Sequence, residues 1–107
     1  MFFEKKYIYL VVSAMVVGIC RIDIYIPGSN SLKNKRSVIK RIIHKLRSKY
    51  NVSACELDNQ DAWRHATLGL AYVSNDNAVV DRAFSSIEEL LESNGEIEVT
   101  GFNTEIL

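Results

Sequence analysis

Acidic residues are missing from a long central stretch of this chain. None occurs between Asp23 and Glu56, although the 107 residues as a whole balance 13 basic against 13 acidic side chains. Eight basic residues fall in the same stretch: Lys33, Lys35, Arg36, Lys40, Arg41, Lys45, Arg47 and Lys49. From residue 56 onward, eleven acidic side chains stand against Arg64 and Arg82. Such a separation calls for an internal match between the two halves, or for an anionic partner of the basic one.

The chain also lacks the spacings that mark several kinds of site. Its two cysteines, Cys20 and Cys55, form no CxxC pair and have no metal-ligand spacing. We therefore interpret both as small buried side chains in a reducing cytosol. No GxxxxGK(S/T) sequence is present, so nucleotide hydrolysis has no support. The prediction is a protein that is not an enzyme, with no metal, no cofactor and no small-molecule substrate.

No apolar run is long enough to span a bilayer, so no membrane contact is predicted. The start MFFEKK and the apolar run behind it have the outline of a signal peptide. Cleavage near Cys20 would destroy the strand predicted there, so secretion is the minority interpretation. We predict a cytoplasmic protein with an extension at residues 1–14, an alternative start at Met15 and a single domain over residues 15–107.

Apolar periodicity predicts the order of the structural elements. A period of two predicts strands at residues 15–26, 52–58, 63–74 and 97–106. Helical spacing predicts helices after the turns at residues 27–28 and 74–76, and Gly101 is predicted to mark a bulge. The order β-α-β-β-α-β predicts an α+β, ferredoxin-like fold, in which a four-stranded antiparallel sheet carries two helices on one face. Cys20 and Cys55 then lie on non-adjacent strands, which argues against a disulfide.

Three segments resemble a known family. They are GICRIDIYIPGSNSLKNKR, NVSACELDNQDAWRHATLGLAYVSND and ESNGEIEV. All three are similar to the YlxP-like family of small bacterial proteins of unknown function. The resemblance extends over residues 15–107 and leaves out residues 1–14. It implies a ferredoxin-like fold and an association with translation, because the family's genes commonly lie beside those of translation initiation and ribosome-maturation factors. It implies no activity.

The basic stretch is predicted to form the first helix and the turn before it. Arg36, Lys40 and Arg47 lie on one flank of the apolar stripe, and Arg41, Lys45 and Lys49 lie on the other. One flank is expected to be neutralised by the second helix, through Glu88, Glu89 and Glu92. We predict that the helix N-terminus and the free flank bind phosphates of RNA or of a ribosomal particle. The predicted contacts are Ser29, Asn30, Ser31, Lys33, Lys35, Arg36, Lys40 and Arg47.

An alternative function uses the open face of the sheet. The third strand presents small residues there and no RNA-recognition aromatics, so base stacking on this face is not expected. The partly apolar surface formed by Val17, Ile19, Ala71 and Val73 instead suits a homodimer. In this alternative the protein is a structural or protein-interaction domain that does not contact nucleic acid.

The hairpin between the second and third strands carries a group of polar residues. Glu56, Asp58, Asp61 and His65 match no established ligand pattern, and we interpret them as turn residues rather than as a metal or acid–base site. Trp63 at the end of the hairpin is predicted to be a packing anchor.

Overall fold

The computed structural model describes residues 14–59 and 61–107 and confirms the predicted α+β, ferredoxin-like fold. The elements are β1 (Val16–Tyr25), α1 (Leu32–Lys49), β2 (Val52–Asp58), β3 (His65–Ser74), α2 (Asn77–Glu92) and β4 (Glu98–Ile106). The sheet has the order β2-β3-β1-β4 and every pairing is antiparallel. Except for Ala14, the predicted extension lies outside the described residues. Neither α1 nor α2, the helices of the described part, combines the length and apolarity needed to cross a bilayer.

Strand β1 runs through the centre of the sheet and follows the predicted alternation. Cys20, Ile22 and Ile24 are buried between the sheet and the helices, while the other face of β1 is the open face. Asp23 is opposite Gly101 in β4, whereas Ile24 is opposite Val99, so the residue between them has no partner in β1. The predicted bulge beside Gly101 is therefore confirmed.

Both helices begin at a polar side chain that caps free backbone N–H groups. Ser31 Oγ accepts a hydrogen bond from the N–H of Asn34 at 3.0 Å, and Asp76 Oδ1 accepts one from Ala78 at 2.9 Å. Each helix packs an apolar side on the sheet. The buried apolar residues are Val38, Ile39, Ile42 and Leu46 in α1, and Val80, Phe84, Ile87 and Leu91 in α2.

Gly18 allows α2 to lie close to β1. A Cβ at this position would collide with Val80 Cγ1 and would lie 2.9 Å from the ring of Phe84. The absence of a side chain therefore lets these two core residues of α2 rest directly on the strand.

Two sequence predictions about single side chains are wrong. Trp63 lies before β3 rather than in it, and it is 57% exposed instead of being a packing anchor. Cys55 is exposed on β2, whereas Cys20 is buried as predicted, and both thiols are free. Burial, together with the nearby carboxylate of Glu88, raises the pKa of Cys20 to about 12.

Candidate nucleic-acid interface

Three exposed cations follow one flank of α1. Lys33, Arg36 and Lys40 are separated by three and four residues, which places them on one side of a helix over about 10 Å. Together with Ser37, Ile39, Ile43 and Glu56 they line a shallow groove of about 520 Å³, here called the basic groove. Within residues 14–59 and 61–107, none of the three cations forms an ion pair or a side-chain hydrogen bond. They are therefore available to an external anion.

Lys35 does not belong to this exposed surface, so its predicted phosphate contact does not fit the structure. Its side chain is completely buried. The ammonium donates to Glu56 Oε2 at 2.7 Å, to the carbonyl of Asn59 at 2.7 Å and to the carbonyl of His65 at 3.4 Å. A buried ammonium needs such acceptors, because its desolvation is costly without them. Lys35 thus joins α1 to the β2–β3 hairpin, and it compensates the charge of Glu56 in the basic groove.

The turn before α1 is less open than predicted. Ser29 is buried, its hydroxyl donates to the carbonyl of Ser31 at 3.2 Å, and its own carbonyl accepts from Arg64 Nε at 2.8 Å. The hydroxyl of Ser31 caps the helix, whereas Asn30 is exposed. The predicted cradle of Ser29, Ser31 and Lys35 is therefore engaged within the protein, and Asn30 and Lys33 remain accessible.

The two flanks of α1 differ in their acidic partners. On one flank Arg41 forms an ion pair with Glu96 at 2.8 Å, so the expected match to Glu88, Glu89 and Glu92 is wrong in its residues. On the other flank Arg47 donates to the carbonyl of Ala54 at 2.6 Å. Because β2 is an edge strand, this bond occupies a backbone group at the sheet edge. Arg47 is exposed but partly engaged, so the free cations concentrate at the basic groove.

The spacing of α1 contains a signal for the buried lysine that the prediction missed. Lys35 is four residues before Ile39, and Ile42 and Leu46 continue the same row, so position 35 lies in the apolar stripe. A cation in such a stripe indicates either an interrupted core or a buried ion pair.

The predicted dimer residues form one block on the open face. Val17 is paired with Val73, and Ile19 with Ala71, across neighbouring strands. A groove of about 710 Å³ crosses all four strands, and Ile19 and Ala71 of this block are among its lining residues. Its floor includes Gly69, against which the exposed side chain of Leu57 packs. The open face is therefore both accessible and partly apolar.

The polar residues of the hairpin have separate partners. Glu56 binds Lys35, Asp58 lies 3.3 Å from Arg21, and the ring of His65 lies 5.1 Å from that of Tyr25. The described residues contain no group of His, Cys, Asp and Glu side chains arranged to hold a metal ion.

Two consecutive side-chain hydrogen bonds connect the base of the same hairpin to β1. Asn59, in the left-handed region at φ 65°, donates to Thr67 Oγ1 at 3.2 Å, and Thr67 donates to Asp23 Oδ1 at 2.8 Å. These two hydrogen bonds explain why Thr67 is buried although it lies on the open face.

Comparison with known proteins gives a family but no activity. Residues 17–104 match the family described as "Protein of unknown function (DUF503)". The chain is 33% identical over 90 residues to "Uncharacterized protein YlxP" of Bacillus subtilis (strain 168). The aligned region covers 84% of this chain and 98% of that protein.

Two solved structures match this chain with TM-scores below 0.5. The de novo designed protein Foldit4 has a TM-score of 0.49 at 18% identity, covering 85% of this chain and 96% of its own. A mutant of SnoaB, a cofactor-independent oxygenase from Streptomyces nogalater, has a TM-score of 0.44 at 11% identity, covering 88% of this chain and 91% of its own.

Proposed function

This chain belongs to the DUF503 family of proteins of unknown function, and we propose that it binds RNA through the basic groove of α1. The observation that carries the proposal is the set of three exposed cations, Lys33, Arg36 and Lys40, which have no acidic partner among the described residues. Cations arranged along one flank of a helix suit a row of phosphates, which are the main source of affinity in nucleic-acid binding.

The charges around the groove favour an anion from a partner molecule over a carboxylate of this protein as the counter-charge of the three cations. The one carboxylate of the groove, Glu56, is bound by the buried ammonium of Lys35. The opposite flank is matched in part by the pair of Arg41 and Glu96. A role in the translation apparatus also agrees with the association that the family resemblance implies. The protein acts in this proposal as a cytoplasmic binding protein that carries out no catalysis.

Charge reversal in the groove tests the proposal. Arg36→Glu combined with Lys40→Glu removes two phosphate contacts and introduces repulsion. We expect the affinity for a fluorescently labelled RNA oligomer, measured by anisotropy at low salt, to fall about 5- to 30-fold. The matched control is Lys45→Glu combined with Lys49→Glu, which makes the same change of charge on the other flank. An equal loss in both double variants, or none in the first, contradicts the proposal.

The apolar block on the open face favours a second candidate function, self-association into a homodimer. A four-stranded face of about seven residues per strand measures roughly 450 Å². Two copies would thus bury roughly 900 Å², at the low end for a specific interface. This size supports a weak dimer, and it is why self-association ranks second. The occupant of the face in this candidate is a second copy of the same chain.

Sedimentation equilibrium distinguishes this second candidate. Val73 is 52% exposed, so Val73→Asp places a charge on the open face without disturbing the core. We expect the wild type to show a mass that rises with concentration and Val73→Asp to remain monomeric. Ser85→Asp, at an exposed position of α2, should behave as the wild type. A wild-type protein that is monomeric at every concentration overturns the dimer.

A further inference from the structure

Among residues 14–59 and 61–107, Trp63 is the aromatic residue whose side chain is mostly exposed. It is the one tryptophan of the sequence, it is 57% exposed, and it lies in the loop between β2 and β3. Aromatic side chains contribute most to stability when they are buried, and an exposed one is a frequent mark of a binding surface. Its position in the fold indicates which surface it belongs to.

The loop that holds Trp63 is fastened to the beginning of α1. Arg64, its neighbour in the chain, donates from Nε to the carbonyl of Ser29 at 2.8 Å, and its carbonyl accepts from the N–H of Ile26 at 2.8 Å. Lys35 of α1 bonds to the carbonyls of Asn59 and His65, one on each side of Trp63 in the chain. These bonds hold the loop that carries Trp63 against the beginning of α1, where Lys33 is the first cation of the basic groove.

The charge of the loop separates two kinds of contact. Asp61 is exposed two residues before Trp63, and its carboxylate repels a phosphate, while Arg64, the cation of the same loop, is bonded to the carbonyl of Ser29. An uncharged base does not meet that repulsion. The cations of α1 therefore suit the phosphates, whereas the loop suits a base that stacks on the indole.

We propose that the basic groove and Trp63 form one site for single-stranded RNA, with a base stacked on the indole and the following phosphates along Lys33, Arg36 and Lys40. The proposal rests on the RNA-binding function and specifies its substrate class. A duplex keeps its bases stacked on one another, whereas a single strand presents free base faces to aromatic side chains. Stacking of this kind tolerates many sequences, because every base has a π-face.

Because Trp63 is the one tryptophan, fluorescence excited at the long-wavelength edge, where the five tyrosines hardly absorb, reports on this residue alone. The experiment titrates the wild-type protein with an oligouridylate, with an abasic strand of equal length and with a blunt RNA duplex. We expect the oligouridylate to quench the fluorescence, and the abasic strand and the duplex to leave it nearly unchanged. Equal quenching by the abasic strand overturns the proposal.

Anisotropy of labelled strands completes the test. Trp63→Ala should weaken binding of the oligouridylate about 5- to 100-fold and leave binding of the abasic strand unchanged. Trp63→Phe should restore most of the affinity, and Leu107→Ala, at another exposed apolar residue, should match the wild type. If Trp63→Ala binds both strands as the wild type does while Arg36→Glu loses them, stacking is wrong and RNA binding stands. If the wild type binds no strand, both proposals fail.

Discussion

The two cysteines of this domain differ in burial, and therefore in the reactivity expected of their thiols. Cys20 lies in β1 beneath the helices, where burial first and the carboxylate of Glu88 second raise the pKa of its thiol to about 12. Cys55 is exposed on β2. Because the thiolate is the reactive form, Cys20 is inert at neutral pH and Cys55 is the accessible thiol.

The raised pKa of Cys20 predicts a loss of stability at alkaline pH. Between the ordinary value of 9.0 and about 12, the unfolded thiol releases a proton that the folded one keeps. The contribution is therefore fully present below pH 9 and declines as the pH rises, by about 1.4 kcal/mol of unfolding free energy per unit. Urea denaturation at pH 8 and pH 10 should show this decline in the wild type and in Cys55→Ala, and not in Cys20→Ala. The same pH dependence in all three would count against a buried neutral thiol.

At the scale of elements, the most informative contact is the junction between α1 and the β2–β3 hairpin. Lys35 lies in the buried row of α1, and its bonds to Glu56, Asn59 and His65 all reach the hairpin. Arg64 makes the reciprocal connection from the hairpin to the turn before α1. The junction fixes the position of the loop with Trp63 relative to the basic groove. Lys35 is itself buried, but its bonds determine how these two exposed features are placed.

Removing Lys35 should weaken the fold much more than removing its exposed neighbour. Lys35→Ala leaves Glu56 without its buried counter-charge, and we expect a loss of about 3–5 kcal/mol in unfolding free energy. Lys33→Ala removes an equal charge from the surface and should change the stability by less than about 0.5 kcal/mol. Urea denaturation followed by circular dichroism measures both. Similar losses in the two variants would show that Lys35 is not the link between α1 and the hairpin.

The elements themselves were predictable from the sequence, whereas their junctions were not. Alternation in β1 is a local signal, and that prediction is confirmed. The partners of Lys35 are more than twenty residues away along the chain, so no local period reveals them. The period of two predicts a strand that begins at residue 63, whereas β3 begins at His65 and leaves Trp63 in the loop before it.

At the scale of the whole molecule, a net charge of zero conceals an unmatched surface. The sequence predicted that one flank of α1 would be matched internally, and the structure finds that match at Glu96 rather than on α2. The sequence analysis placed the RNA contacts on the flank of Arg36 and Lys40, which left the opposite flank for the internal match. The structure has its ion pair on that opposite flank, at Arg41. The identity of the matching acid could not be predicted, because exposed charges have no pattern that fixes their partners.

The two proposed surfaces are compatible with each other. The basic groove lies on the helical side of the sheet, and the block of Val17, Ile19, Ala71 and Val73 lies on the open side. A dimer formed through the open faces would therefore carry two basic grooves pointing outward. The dimer and the RNA site can consequently be tested with independent variants.

The salt dependence of RNA binding tests the central claim most directly. Neutralisation of three phosphates on a single strand gives a slope of about −2 for the logarithm of the binding constant against the logarithm of salt concentration. The account predicts this slope for the wild type and a slope of about −0.7 for Arg36→Glu combined with Lys40→Glu, which keeps Lys33 alone. A slope near zero in the wild type, or one that the double variant leaves unchanged, would contradict the assignment of RNA binding to the basic groove.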